Sequence, residues 1–246
     1  MKSIILLALV AVAAAGHHGT VNSMQQVKVK ELYDSIVTKD YYPNLRPYGV
    51  NGTDATFVTV QLRDVKILNV DETKGLFTFQ TYARKSWIDP RLAYNDTTVS
   101  YIPIRDCKSL WAPDIFFLDG VESSTFPLSA HHVPRTGRIF PSGRVFYSFR
   151  LTQTIHCPAI YTTGVKEITC PVRLGSYGFY TDEVQVAFKE GADYTGVNVV
   201  KDVVIPKFTF GGVTTQQTCT TASTTRSADH DHVHSCVQAD FKFIRA

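Results

Sequence analysis

The sequence predicts an all-β protein: an immunoglobulin-like antiparallel β-sandwich of about ten strands, preceded by one short α-helix. About ten short segments rich in alternating or β-branched residues are separated by turn residues along the 246-residue chain. A single segment has the spacing of apolar residues that is typical of a helix. A pair of cysteines also brackets a twelve-residue loop between two of the alternating segments.

The helix is predicted over residues 23–38, where apolar residues recur among polar neighbours. Ser23 is a candidate N-cap. The helix should end before Pro43 and Pro47, because proline cannot continue it.

The strands are predicted from period-two alternation, which places one face of each strand against the core. The clearest case leads into the cysteine-bracketed loop, where Val145, Tyr147 and Phe149 fall on one face and Phe146 and Ser148 on the other. The predicted strands are 56–65, 75–87, 99–104, 110–118, 137–140, 143–156, 172–177, 184–189, 203–210 and 237–244. Residues 214–235 form a stretch rich in Thr, Ser, Asp and His.

Five cysteines predict two disulfides and one unpaired thiol. Cys157 pairs with Cys170, and closing a loop of this size stabilises a fold by roughly 3 kcal/mol in the chain-entropy model. Cys219 and Cys236 form the second expected pair. Cys107 is then the fifth cysteine, outside both pairs. For Cys107, a buried thiol is favoured over a disulfide to another molecule.

The N-terminus predicts export from the cell. Residues 1–15 combine an early lysine, a short apolar run and small residues, as in a secretory signal peptide, and residues 16–246 form one domain. No later segment reaches eighteen consecutive apolar residues, so no membrane span is predicted in the mature chain. The mature protein is expected to be secreted and extracellular, which makes the sequons at Asn51 and Asn95 candidate glycosylation sites.

Several function classes receive no support from the residues. A net charge of +3, dispersed along the chain, does not suggest a partner that is a nucleic acid, and no glycine-rich phosphate loop is present. Neither a nucleophile elbow nor a His-Glu-x-x-His motif occurs. An enzyme is therefore not predicted, and no cofactor is implied.

Four motifs occur together in one order along residues 23–245. The Tyr-x-Pro-x-x-Arg-Pro connection over 41–47 is followed by Trp-Ile-Asp-Pro-Arg-Leu over 87–92 and Trp-Ala-Pro-Asp over 111–114. The cysteine-closed loop then lies between Tyr-Ser-x-Arg and Ser-Tyr-Gly-Phe. This combination resembles the extracellular domain of pentameric Cys-loop neurotransmitter receptors, and most closely the anion-channel branch that includes glycine, GABA and glutamate-gated chloride receptors.

The resemblance implies a ligand site between subunits, which binds a small amine or amino acid through an aromatic box and polar groups. The family's ligand-contacting loops A to E supply the positions that match it. The matching residues are Phe116 and Leu118 in loop A, Ser176 and Tyr177 in loop B, His234 in loop C, Tyr82 and Arg84 in loop D, and Ser148 and Arg150 in loop E. Binding of an amine requires the aromatic rings of Tyr177 and Tyr82, and binding of an amino acid also requires Arg84 or Arg150. Both sets of residues are present, so the composition does not decide between the two ligands.

Loop C, between Cys219 and Cys236, departs from the family pattern. It contains no Phe, Tyr or Trp, and His234 stands at the position of the family's aromatic residue. The glycine-receptor acidic residue before Ser176 is Gly175 in this chain. His230, His232 and His234 alternate, so a strand would place them on one side, where they could bind zinc or copper. The alternative is a solvated histidine-rich hairpin.

The Cys-loop departs as well, since it has twelve residues and a polar tip over 162–167, whereas the channels of the family carry a loop of thirteen residues with an apolar tip. The secreted acetylcholine-binding proteins are similar in having a shorter, polar loop. The resemblance therefore implies a secreted homopentamer that binds and buffers a small ligand without forming a pore. Two alternatives stay open: the extracellular part of a ligand-gated chloride channel subunit, and a histidine-rich secreted protein that binds a metal or a protein partner.

Overall fold

Two β-sheets pack face to face across an apolar core, and one α-helix precedes them in the chain. The computed structural model describes residues 23–38, 40–48, 54–105, 107–125, 135–191, 195–201, 204–219, 226–227, 230–231 and 233–246. The proposed signal peptide and Asn51 lie outside these residues. The observed architecture confirms the predicted β-sandwich with an N-terminal helix.

One helix is followed by strands along the rest of the described chain, as the sequence predicts. They are α1 Ser23–Ile36, β1 Thr56–Asp71, β2 Leu76–Ile88, β3 Ile102–Ile104, β4 Ile115–Phe117, β5 Gly120–Thr125, β6 Arg135–Ile139, β7 Arg144–His156, β8 Glu167–Ser176, β9 Val184–Phe188, β10 Val197–Val199, β11 Phe208–Gln216, β12 Arg226–Ser227, β13 His230–Asp231 and β14 Cys236–Arg245. Among the described residues, no helix is long and apolar enough to cross a membrane.

The first sheet has the order β10-β1-β2-β7-β6-β3, with β9 also pairing with β1 and β5 with β7. The second sheet has the order β11-β14-β8-β4. β12 and β13 form a separate two-stranded ladder. Every pairing in the second sheet is antiparallel, whereas β9 and β10 run parallel to β1 in the first.

Aromatic side chains from the two sheets meet in the middle of the core. Phe77 and Phe79 of β2 and Phe241 and Phe243 of β14 are all fully buried. The ring centroids of Phe77 and Phe241 are 5.3 Å apart, and those of Phe79 and Phe241 are 5.9 Å apart. Because these rings alternate with polar residues along their strands, the face of each sheet that points away from the core is left for other contacts.

β1 continues six residues beyond its predicted end at Val65. Asp64 has a left-handed φ of 52°, and the β1–β2 register shifts between Arg63 and Lys66. This β-bulge reverses the inward and outward alternation, so the apolar residues after it no longer match the pattern before it. The shift explains why the sequence pattern missed the second half of the strand.

Other boundaries also differ from the predictions. The predicted strand over 110–118 is reduced to β4, because the backbone N–H of Trp111 donates to the hydroxyl of Tyr41 at 3.0 Å and Pro113 has no N–H to donate. β8 begins earlier than predicted, and β5 and β10 were missed. The predicted strand over 203–210 was misplaced, since β11 occupies 208–216 instead.

The structure contains both predicted disulfides. Cys157 is bonded to Cys170 and Cys219 to Cys236, with Cα–Cα distances of 5.3 and 5.5 Å. Cys107 is half-buried and forms no disulfide with the described cysteines.

A buried ion pair joins the segment after α1 to the chain that follows β2. The Asp89 carboxylate is fully buried and accepts hydrogen bonds from the Arg91 guanidinium at 2.7 and 2.8 Å and from the hydroxyl of Tyr41 at 2.8 Å. Arg91 also donates to the carbonyl of Leu45 at 3.0 Å. Burial and the neighbouring carboxylate raise the pKa of the Tyr41 hydroxyl, so this group remains a donor in the network.

Candidate ligand-binding site

The residues predicted to bind ligand fall into two clusters on different sheets. The aromatic cluster consists of Phe116, Leu118, Ser176, Tyr177 and His234, carried by β4, the end of β8 and the segment before β14. The arginine cluster consists of Tyr82, Arg84, Ser148 and Arg150, carried by β2 and β7 of the first sheet.

The aromatic cluster presents two rings to solvent. Phe116 is 39% exposed and Tyr177 is 78% exposed, and their ring centroids are 5.8 Å apart in an edge-to-face arrangement. Phe116 pairs with Gly175 across the β4–β8 ladder, which places its ring beside the turn that carries Tyr177. A large tyrosine with this exposure is not part of the sandwich core, and its face is available to a cation.

Asp114 fixes the turn that carries Tyr177. Its carboxylate accepts hydrogen bonds from the hydroxyl of Ser176 at 2.7 Å and from the backbone N–H of Gly178 at 2.6 Å. The oxygen of Ser176, in turn, accepts from the backbone N–H of Phe179 at 3.0 Å. Ser176 is buried, so its observed contacts hold the turn in place.

His234 lies against the turn after Tyr177. Its Nδ1 donates to the carbonyl of Phe179 at 3.0 Å, and its ring centroid is 5.0 Å from that of Tyr180. The carbonyl of Val233 accepts from the backbone N–H and the hydroxyl of Thr181 at 2.9 and 2.7 Å. The C-terminal end of the loop is therefore attached beside the aromatic cluster, as its predicted position requires.

Leu118 lies over β8, with its backbone N–H donating to the carbonyl of Arg173 at 2.9 Å. A β-carbon added at Gly175 would come 3.4 Å from Cδ1 of Leu118 and 3.1 Å from the β-carbon of Cys236. Gly175 thus allows Leu118 and the Cys219–Cys236 disulfide to approach the strand closely.

The arginine cluster lies on the outward face of the first sheet. Tyr82 pairs with Arg150 and Arg84 pairs with Ser148 across the β2–β7 ladder. The guanidinium of Arg150 lies 5.6 Å from the centre of the Tyr82 ring, and it also donates to Oε1 of Gln80. Tyr82 and Arg84 thus share the outward face of β2, as the period-two alternation of a strand requires.

Arg63 of β1 joins this cluster, and the sequence analysis missed it. Arg63 pairs with Tyr82 across the β1–β2 ladder, which makes it a diagonal neighbour of Arg84 on the same face. Within the described part of the chain, the Nε atoms of Arg63 and Arg84 are both buried without a hydrogen-bond partner. Burial and then the positive charge of Arg63 lower the pKa of Arg84. An anion at this position would satisfy both groups.

Lys85 connects the two sheets behind these clusters. It lies on the inward side of β2, between Ala83 and Trp87 in the alternation, and its ammonium group donates to the carbonyls of Pro113 at 3.1 Å and Ile115 at 2.9 Å. Burial lowers its pKa to about 8, although the nearby Asp114 carboxylate opposes this shift. The strand of the arginine cluster is thereby joined to the loop that supports the aromatic cluster.

The two clusters point away from each other. Phe116 lies on the outward face of the second sheet, because its neighbour Phe117 packs on Phe79 in the core with 5.9 Å between ring centroids. Tyr82 lies on the outward face of the first sheet, because Thr81 and Ala83 on either side are buried. With the core between them, one copy of the chain cannot bring both clusters to one small ligand.

The sequence of residues 29–246 matches the model of the neurotransmitter-gated ion-channel ligand binding domain. The chain belongs to this family. A glutamate-gated chloride channel from Drosophila melanogaster is 29% identical over 99% of the chain and 51% of its own length. The gamma-aminobutyric acid receptor subunit beta-4 from Gallus gallus is 31% identical over 74% of the chain and 36% of its own length. The gamma-aminobutyric acid receptor alpha-like protein from Drosophila melanogaster is 29% identical over 76% of the chain and 26% of its own length.

These relatives confirm the anion-channel branch that the motifs predicted, and the chain spans about half the length of the first of them. The ligand-binding domain family is one of channel domains rather than enzymes.

The other predicted sites have different outcomes. Asn95 is exposed, whereas Asn51 is outside the described residues. Of the proposed metal ligands, His232 and the side chain of His230 are also outside them, and His234 is hydrogen-bonded to Phe179. No group of three potential metal-binding side chains occurs among the residues that the structure describes.

Proposed function

We propose that this member of the ligand-binding domain family binds a small amino acid outside the cell, at interfaces between copies of itself. The arginine cluster, extended by Arg63, binds the carboxylate. The aromatic cluster of the adjacent copy binds the ammonium group. The chemical class of the ligand is therefore a zwitterionic or acidic amino acid rather than a simple amine.

The observation that carries this proposal is the pair of buried Nε atoms of Arg63 and Arg84. Two neighbouring guanidinium groups whose Nε–H groups are buried without hydrogen-bond partners are costly, because these donors are unsatisfied and the two positive charges repel each other. A carboxylate relieves both costs, since guanidinium groups bind carboxylates through short, charge-assisted hydrogen bonds. An amine would add a third positive charge and relieve neither.

The aromatic cluster supports the other half of the ligand. The exposed ring of Tyr177, held by the Asp114 turn, provides a cation–π surface for an ammonium group, and Phe116 provides its neighbour. His234 donates through Nδ1 to a carbonyl, which in the neutral ring leaves Nε2 as an acceptor for an ammonium N–H. An imidazole thus takes the position of the family's loop C aromatic without blocking an amino acid.

The opposite orientation of the clusters supports a ring. A head-to-tail contact that joins the aromatic cluster of one copy to the arginine cluster of the next generates a closed ring when the rotation closes. Membership of the family makes five the expected number of subunits in this ring, that is, a homopentamer. Each interface would then contain one complete site.

The Cys-loop favours a secreted form that does not make a pore. Its tip contains Thr162, Thr163, Gly164 and Lys166, all exposed, and Val165 is its one apolar side chain, 43% exposed. A tip that faces water gains nothing from exposed apolar groups, whereas a tip that packs on a membrane domain would. The greater length of the relatives favours the second candidate, the extracellular part of a chloride channel subunit.

Transcript and cell fractionation data separate these two candidates. A transcript that continues beyond Ala246 into apolar helices, with the product retained in membranes, would establish the channel subunit. Product recovered from the culture medium as a particle of about five subunit masses supports the secreted ring. A secreted monomer would contradict the interface site, because the two clusters would never meet.

Ligand binding is tested by calorimetry on the purified protein with L-glutamate, GABA, glycine and choline. We expect at least one amino acid to bind, and choline to bind more weakly or not at all. Arg84→Met should abolish amino-acid binding, while Lys66→Met, which removes an exposed charge from β1, should not. Tyr177→Ala should also weaken binding, while Tyr161→Ala, an exposed tyrosine in the Cys-loop, should not. Binding that survives Arg84→Met would overturn the carboxylate site.

A further inference from the structure

A cleft between the N-terminal helix and the chain before β3 is unrelated to either cluster. It has a volume of about 420 Å³ and is lined by Gln25, Gln26 and Val29 of α1 and by Thr98, Ser100 and Tyr101, with Val99 and Pro103 completing the wall. Its lining combines two amide side chains, three hydroxyl groups and one aromatic ring, that of Tyr101, which is 38% exposed.

An ion pair joins the helix to the rim of this cleft. Nζ of Lys28 lies 2.7 Å from the Asp96 carboxylate and donates to the hydroxyl of Thr98 at 2.7 Å. Asp96 also accepts from the backbone N–H groups of Thr98 and Val99 at 2.8 and 2.9 Å. The turn over residues 96–99 is therefore ordered, and it forms both the rim of the cleft and part of the Asn95-Asp96-Thr97 sequon.

The position of Asn95 brings a second observation to the same place. Asn95 and Thr97 are exposed, as the modification requires. Asn95 precedes the cleft-lining Thr98 by three residues, which limits their separation to about 10 Å even in an extended chain. The side chain of Asn95 is thus within reach of the cleft through one or two attached sugars.

We infer that the cleft between α1 and Tyr101 holds the first N-acetylglucosamine units of a glycan attached to Asn95. The acetamide and hydroxyl groups of this sugar match the amide of Gln26 and the hydroxyl of Ser100. Its apolar C–H groups match the exposed part of the Tyr101 ring, which also packs against the Arg138 guanidinium at 4.6 Å from the ring centre. The glycan contacts both α1 and the sandwich and stabilises the packing of the helix.

The attachment is the ordinary transfer that occurs in the secretory pathway. The amide nitrogen of Asn95 attacks C1 of the first sugar of a lipid-pyrophosphate-linked oligosaccharide. A C–N bond forms, the bond from C1 to the pyrophosphate oxygen breaks with its electron pair leaving on the pyrophosphate, and the nitrogen loses one proton. The inference depends on the extracellular location in the proposed function but not on ligand binding.

The test uses the full chain, secreted from insect cells behind a heterologous signal peptide, with Asn51→Gln to leave one sequon. Intact mass measures the occupancy of Asn95, with Thr97→Ala as the unglycosylated control and Thr97→Ser as the variant that keeps the sequon. A glycosidase that leaves one N-acetylglucosamine and an amidase that removes the whole glycan then give two trimmed forms. Thermal unfolding is measured for each form.

We expect complete removal to lower the Tm by about 2–4 °C, the change that a modest contact produces in a domain of this size. The form that keeps one sugar should retain most of that stability. In Tyr101→Ala, and independently in Gln26→Ala, removal of the glycan should lower the Tm by less than it does in the parent. An unoccupied Asn95 would overturn the inference. So would equal losses of Tm on deglycosylation in the parent and in both cleft variants, since the glycan would then act without the cleft.

Discussion

The Asp114 carboxylate accepts a hydrogen bond from the hydroxyl of Ser176 at 2.7 Å, which joins the loop before β4 to the end of β8. The same carboxylate accepts from the backbone N–H of Gly178 at 2.6 Å. Tyr177 lies between these two contacts, so the most exposed ring of the aromatic cluster depends on a single acidic side chain. The Trp-Ala-Pro-Asp motif thus positions the turn that carries Tyr177.

Replacing Asp114 should therefore destabilise the domain and weaken ligand binding. In Asp114→Asn, an NH₂ group replaces one carboxylate oxygen and cannot accept the hydrogen bond that Ser176 or Gly178 donates to that oxygen. We expect the free energy of unfolding in urea to fall by about 1–3 kcal/mol, the cost of leaving a buried polar group unsatisfied. Asp182→Asn, at an exposed position five residues after Tyr177, is the control. Equal stability of the two variants would contradict the role of Asp114.

The strands that carry the site were predictable where the alternation is unbroken. β2 and β7 follow one phase through Tyr82, Arg84, Ser148 and Arg150, so the sequence placed each pair of residues on a common face. β1 was only half predicted, since the bulge at Asp64 changes the phase within the strand. A local pattern cannot indicate such a bulge without the partner strand.

Arg63 was missed for a related reason. Its membership of the arginine cluster depends on the register between β1 and β2, which pairs it with Tyr82, and register is a long-range property. The loop before β4 was predicted as a strand because its residues are apolar, although its backbone groups bond to side chains such as that of Tyr41. These tertiary hydrogen bonds leave no periodic signal in the sequence.

The Asp89–Arg91 pair offers a test of the buried network. Arg91→Met leaves the fully buried carboxylate of Asp89 without its positive partner, so we expect a loss of about 2 kcal/mol or more in the free energy of unfolding. Asp89→Asn with Arg91→Met should cost less than the sum of the two single changes, because the pair is removed together. Additive losses would show that the two side chains act independently.

Lys85 should make stability depend on pH. Its folded pKa is about 8, below the ordinary value of 10.5, so between these values the unfolded chain binds more protons than the folded protein does. The free energy of unfolding contributed by Lys85 must therefore rise with pH in that window. We expect the difference between wild type and Lys85→Met to shift in favour of wild type by about 2 kcal/mol between pH 8 and pH 10.

The measurement is urea unfolding of both proteins at intervals across this range. The series stops at pH 10 because Tyr41 has a raised pKa in the folded protein. Above pH 10 the tyrosine of the unfolded chain ionises first, which lowers the free energy of unfolding and opposes the rise that Lys85 produces. Comparison with Lys85→Met removes the contribution of the other titrating groups. A difference that stays constant with pH would contradict the lowered pKa of Lys85.

Arg245 should control the mobility of the Cys-loop. Its guanidinium donates to the carbonyls of Thr162 and Val165 at 2.6 and 2.9 Å, and to that of Ile160, while Nε lies 3.3 Å from the Glu72 carboxylate. In Arg245→Met these carbonyls lose a charged donor, and a loss of about 1.4 kcal/mol would raise amide hydrogen exchange in the loop roughly tenfold. Exchange measured by mass spectrometry over residues 158–167 reports this directly.

Lys207→Met is the matched control for that experiment. Lys207 also pairs with Glu72, at 3.4 Å, and its side chain is 79% exposed, but it contacts none of the Cys-loop carbonyls that accept hydrogen bonds from Arg245. If the loop is held by those carbonyl contacts, Arg245→Met alone should accelerate exchange. If both variants accelerate it equally, Glu72 fixes the loop instead, and the three hydrogen bonds from Arg245 contribute little.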